Sequence, residues 1–148
     1  GGYIFAAITG YPSDGWIVRV ANTGAIFWSR EYVNSTLYSI EKTSDGGYIA
    51  GGSANGDLLL IKLNSSGNEE FNNLYDSSSN THVAWSVDQA NDGGYIAAGY
   101  KYNNNSYQDI WMLKVDSAGN EVWDKTYPDG GTCYRCRWYG GRYSLPNL

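Results

Sequence analysis

Few residues in this chain of 148 have the chemistry for catalysis or metal binding: two cysteines, Cys133 and Cys136, one histidine, His82, and several aspartates. Cys133-Tyr-Arg-Cys136 has the spacing of half a zinc site or of a redox dithiol. Zinc asks for four ligands, and His82 is the one other good donor; a redox pair asks for a strand–helix junction that the surrounding sequence does not offer. On a strand, residues three apart face opposite sides, which also disfavours a bridge between them. Neither metal nor cofactor is therefore expected. His82 follows Asn80 and Thr81 with no nucleophile pattern around it, so it is expected to be a solvated loop histidine and not the base of a triad. Asp14, Asp57 and Asp109 recur at one place in a repeated pattern, as do Asp45 and Asp92. A repeated aspartate of this kind predicts a turn or strand-opening hydrogen bond. No Asp-x-Asp-x-Asp-Gly loop supports calcium.

These residues are set in a threefold repeat. Asp45-Gly-Gly-Tyr-Ile-Ala-Gly-Gly52 and Asp92-Gly-Gly-Tyr-Ile-Ala-Ala-Gly99 are nearly the same string, and Gly1-Gly-Tyr-Ile-Phe-Ala-Ala7 is a third copy. A period of about 45 residues marks a repeat architecture. Within the last copy, Ala84–Ala90 predicts a strand A and Asn91-Asp-Gly-Gly a tight turn. Tyr95–Tyr100 predicts strand B, Asp109–Val115 strand C and Glu121–Tyr127 strand D. The middle copy repeats the order through Leu37–Lys42, Tyr48–Gly52, Asp57–Leu63 and Glu69–Tyr75. The first copy lacks strand A and runs through Asp14–Val20 as strand C and Ala25–Tyr32 as strand D. Trp28, Phe71 and Trp123 recur in strand D, with Tyr32, Tyr75 and Tyr127 four residues on and so on the same face. Trp28, Trp123, Trp16 and Trp111 are expected to pack between sheets.

With 16 % aromatic residues, 19 glycines and no helical periodicity, the chain is expected to be all-β. A net charge of −5 gives no basic footprint for nucleic acid, and no apolar run is long enough for a membrane span. The composition, rich in Asn, Ser and Tyr, suits an extracellular or cell-surface protein.

Four short strands per unit of this length is the arithmetic of a propeller blade. The pattern Asp-Gly-Gly-Tyr-Ile … Asp-x-Trp-x-x-Lys-Val-Asp-x-x-Gly-x-x-x-Trp-x-Lys-Thr-Tyr resembles β-propeller repeats of secreted prokaryotic proteins. It is loosely similar to the Trp-containing blades of quinoproteins. The resemblance covers residues 1–127, with repeats at about 1–33, 34–80 and 81–130, and implies about three four-stranded antiparallel blades. Three blades are too few for the usual ring of four to eight, so a homodimer closing six blades is expected, with the tail of one copy supplying the missing strand A of the other. The tail, 131–148, keeps register, with Gly140-Gly141 lying 47 residues after Gly93-Gly94, but changes composition. It is read as strand A of a further blade or as a frameshifted continuation of the repeat.

The A–B and C–D turns keep nearly constant length, whereas the B–C and D–A connections vary. In an up-and-down blade both variable sets emerge on one side, where binding loops on a rigid scaffold gather. They carry Tyr11, His82, Tyr102, Asn103, Asn104, Asn105 and Tyr107, and Tyr with Asn suits a glycan or a protein surface. The function expected is a non-enzymatic binding module. The alternatives are a structural assembly unit or fragment of a larger propeller, and a quinoprotein-like enzyme fragment, which the resemblance alone suggests.

Overall fold

The computed structural model describes residues 1–10, 13–76, 81–102 and 108–127, with the backbone of 138–139 and 142–143. All its regular elements are strands. The first sheet has three, β1 (Tyr3–Thr9), β2 (Asp14–Val20) and β3 (Ile26–Tyr32), in that spatial order. The second has four, β4 (Ser35–Lys42), β5 (Tyr48–Ala54), β6 (Asp57–Leu63) and β7 (Glu69–Tyr75). The third repeats it with β8 (His82–Gln89), β9 (Tyr95–Tyr102), β10 (Gln108–Val115) and β11 (Glu121–Tyr127). Every neighbouring pair is antiparallel, so each sheet is a meander. A two-residue hairpin, β12 (Trp138–Tyr139) with β13 (Arg142–Tyr143), follows, and β12 lies against β8.

The expectation of an all-β chain holds, and among the described residues the first sheet has no strand in the place of strand A. Strand limits differ from the sequence reading mainly at the B–C side. Strand B runs on to Ala54 in the second sheet and to Tyr102 in the third, and strand A begins earlier, at Ser35 and His82. The polar residues there are still paired across the ladder, which alternation of apolar residues cannot reveal.

The second sheet stands between the other two. One of its faces, with Ala50, Leu59, Ile61 and Leu63, packs on Ile17 and Tyr32 of the first sheet. The other, with Ile49, Leu58, Leu60 and Tyr75, packs on Ala84, Val87, Tyr95, Ala97 and Leu113 of the third. This is why strand C of the second sheet, Asp57-Leu-Leu-Leu-Ile-Lys-Leu63, is apolar on both faces and does not alternate.

At one edge of all three sheets, five turns among the described residues have the same hydrogen bonds. In each, one backbone N–H donates to the carbonyl four residues on, and its own carbonyl accepts from the N–H three residues on. The pairs are Ala21/Ala25, Thr43/Gly47, Asn64/Asn68, Ala90/Gly94 and Asp116/Asn120. The fourth residue of each turn is a glycine with φ between 80° and 85°, a left-handed conformation that other residues adopt only at a cost.

Asp45 and Asp92 hold these turns, accepting from the N–H of Gly47 and Gly94. Each also pairs with a strand-C lysine folded back under the turn: Lys62 Nζ lies 2.8 Å from Asp45 and 2.6 Å from Glu70, and Lys114 Nζ lies 3.0 Å from Asp92. The Lys62 and Thr43 hydrogen bonds hold the Asp45 carboxyl down to about 2. Burial pulls the Lys62 pKa down, but hydrogen bonds to its two carboxylate partners outweigh that and leave it above the usual lysine value. The Asp of Asp-Gly-Gly and the Lys of strand C are therefore one structural unit.

Candidate functional site at the variable edge

The opposite edge is where chain length varies. B–C turns and D–A connections of neighbouring sheets meet there: the Asn34 N–H donates to Asp14 Oδ1 at 2.8 Å, and the His82 N–H donates to the Gly56 carbonyl at 2.7 Å. Asn34 and Asn55 turn the chain with φ of 55°. Asp14 thus makes the strand-opening hydrogen bond expected of the recurring aspartates.

Between the first and second sheets this edge opens into a shallow cleft of about 350 Å³, lined by Ser13, Asn34, Ser35, Thr36, Ser53, Ala54 and Asn55. Its lining side chains bring hydroxyls and amides and no full charge, although more of its exposed surface is apolar than polar. Thr36 Oγ1 and Ser53 Oγ lie 2.9 Å apart across β4 and β5, and Ser35 Oγ donates to the Tyr32 carbonyl at 2.6 Å.

At the same corner between the second and third sheets a larger side chain is packed. His82 occupies the place of Ser35, as the first residue of its strand A. It is fully buried, 0 % exposed, with its ring edge-on to Trp111 at 5.5 Å and Nε2 3.8 Å from Asp76 Oδ2. This overturns the expectation of a solvated loop histidine. Strand A starts two residues earlier than alternation suggests, which carries the imidazole into the interior against Trp111. Asp76 also pairs with Lys101, whose Nζ lies over the Trp111 ring at 5.1 Å. The Trp111 Nε1–H donates to Asp124 Oδ2 at 2.8 Å.

Burial pushes the His82 pKa below its usual value, opposed by Asp76 and Asp57 and assisted by Lys101. The folded state therefore takes up a proton at lower pH than the unfolded state. The resulting stability is fully present above about 6.5 and declines as pH falls toward the folded pKa. Melting midpoints should fall between pH 7 and pH 5 in the native chain, and this part of the slope should be absent in His82→Gln. An equal slope in the variant would show that His82 does not set it.

Of the sequence-predicted site residues, the structure places His82 in the buried corner and Tyr102 at the end of β9, where its hydroxyl accepts from Gln108 Nε2 at 2.8 Å. Tyr11, Asn103, Asn104, Asn105 and Tyr107 lie outside the described residues, as do Cys133 and Cys136. Tyr102 ends a row of rings that sequence reasoning missed. Its centroid is 5.4 Å from Tyr100, Tyr100 is 6.3 Å from Trp85, and Trp85 is 4.2 Å from Tyr38. Tyr38 and Trp85 are the extra residues of equivalent bulges in the two A strands, between Leu37 and Ser39 and between Ala84 and Ser86. Their matching positions in the repeat were the available signal. Among the described residues no group of three or more His, Cys, Asp or Glu could hold a metal ion.

No protein-family model matches the chain, and no curated protein is found to be similar to it.

Proposed function

We propose that the chain is a non-enzymatic recognition module of the propeller type, which binds a carbohydrate at its variable edge. The observation that carries the reading is the uncharged cleft between the first two sheets, whose apolar surface is studded with hydroxyls and amides. It gathers Ser, Thr and Asn side chains from two B–C turns, a D–A connection and two strands at the edge where the repeats differ. Uncharged hydroxyls and amides in an open cleft match the alternating donors and acceptors of a sugar. The partly exposed rings from Tyr38 to Tyr102 offer flat apolar faces to its C–H side. His82, the one histidine, is packed away from solvent and serves the fold. The propeller assignment is supported by three meander sheets stacked in order, with strand A of the third against strands A and B of the second.

Glycan-array binding followed by titration calorimetry tests the reading. The expected outcome is a carbohydrate ligand whose affinity falls at least about tenfold when the cleft is filled by Ser53→Leu or the ring row is shortened by Tyr102→Ala, a loss of about 1.4 kcal/mol. The same change at the constant edge, Ser65→Leu, should leave binding intact. An array with no bound glycan, or binding that ignores Ser53 and Tyr102, would overturn the proposal.

A further inference from the structure

The two joints between sheets are built from the same parts. Trp28 of the first sheet sets its ring against Tyr48 of the second, edge-on at 5.9 Å, and over Gly67, where a β-carbon would lie 2.7 Å from the indole. Phe71 of the second sheet does the same with Tyr95 of the third, at 5.9 Å, and with Gly119, where a β-carbon would lie 2.9 Å from the ring. A polar contact accompanies each: Arg19 Nε donates to the Tyr48 hydroxyl at 2.9 Å, and the Tyr75 hydroxyl donates to the Gly119 carbonyl at 2.7 Å.

The chain holds the two halves of a third joint without joining them. The projecting half is in the third sheet, where Trp123 is 37 % exposed and Tyr127, the counterpart of Tyr75, is exposed too. The receiving half is in the first sheet, where Tyr3 is 67 % exposed and no atom lies within 4 Å of a β-carbon built on Gly24. Phe5, also exposed, stands where the inner sheets bury Ala50 and Ala97, so the receiving face is more apolar than theirs. Uncovered aromatic faces of this kind mark an interaction surface.

We infer that the third sheet of one copy docks on the first sheet of a second copy, with Trp123 lodged on Tyr3 and Gly24 as Trp28 lodges on Tyr48 and Gly67. The occupant is a second copy because each chain carries both halves, and because the fit is the one already used twice within it. The contact is heterologous, so two chains joined at both ends close on themselves. It pairs faces and needs no donated strand. The inference stands apart from the ligand reading, since it concerns sheet faces and not the variable edge.

Sedimentation velocity over a wide concentration range tests it. The native chain should form a species of twice its 16.3 kDa mass. Trp123→Ala and Tyr3→Ser should each weaken that species at least about tenfold, as loss of a buried aromatic anchor does, while leaving each chain's unfolding curve in place. Mixing the two variants restores one intact joint and should give a tighter dimer than either variant forms alone. A monomer at every concentration, an oligomer that ignores both substitutions, or no recovery in the mixture would overturn the inference.

Discussion

Gly99→Ala is expected to destabilise the chain by about 3 kcal/mol, seen as a lower urea midpoint with unchanged slope. A β-carbon at Gly99 would lie 1.7 Å from the Val83 carbonyl oxygen, and one at Gly52 would lie 1.8 Å from that of Thr36. Both contacts are to backbone of strand A beside its bulge, so no side-chain rotation relieves them. The first sheet supplies the control. Its equivalent residue is Ala7, and no strand A presses on it there. Ala7→Gly should cost no more than the roughly 0.5–1 kcal/mol of added backbone entropy. A mild Gly99→Ala would mean that strand A does not approach strand B as closely as described. Ala7 also argues against the expected repair of the first sheet by a bulged strand from a second copy, since its methyl group occupies the space such a strand would need.

Trp111→Ala is the second large effect, at about 3–5 kcal/mol. The indole is 2 % exposed and belongs to the apolar cluster between the second and third sheets. It also supports the edge of His82, lies beneath Lys101 and donates to Asp124. Trp111→Phe keeps most of the packing and loses the donor, so it should cost about 1–2 kcal/mol. Similar urea midpoints for the two variants would show that the hydrogen bond, and not the ring, supports the corner.

The repeat was legible because its turns are spelled by residues with few alternatives. Asp-Gly-Gly at the A–B turns and a glycine in each C–D turn are set by backbone conformation and hydrogen bonding, which leave a sequence signature. The pairing of Asp45 with Lys62 was not legible. The lysine occupies an alternating strand position, and only the fold brings it back beneath the turn. His82 was misplaced for a related reason. The residues at the D–A side are polar in sequence, and their burial depends on a neighbouring sheet that no local pattern describes. The cleft draws on three separate segments, so its residues share no motif. The third joint was half visible: Trp123 was seen to match Trp28 and Phe71, but the glycine that receives each ring emerged only from the stacking.

The proposed function divides the labour between a constant edge that holds the sheets together and a variable edge proposed to meet a ligand. Backbone amide chemical shifts, recorded while an array-positive oligosaccharide is titrated into the full chain, test this most directly. Perturbations should gather at Ser13, Asn34–Thr36 and Ser53–Asn55, and along the rings from Tyr38 to Tyr102. Perturbations confined to the turns at Ala21–Ala25, Thr43–Gly47, Asn64–Asn68, Ala90–Gly94 and Asp116–Asn120 would contradict it.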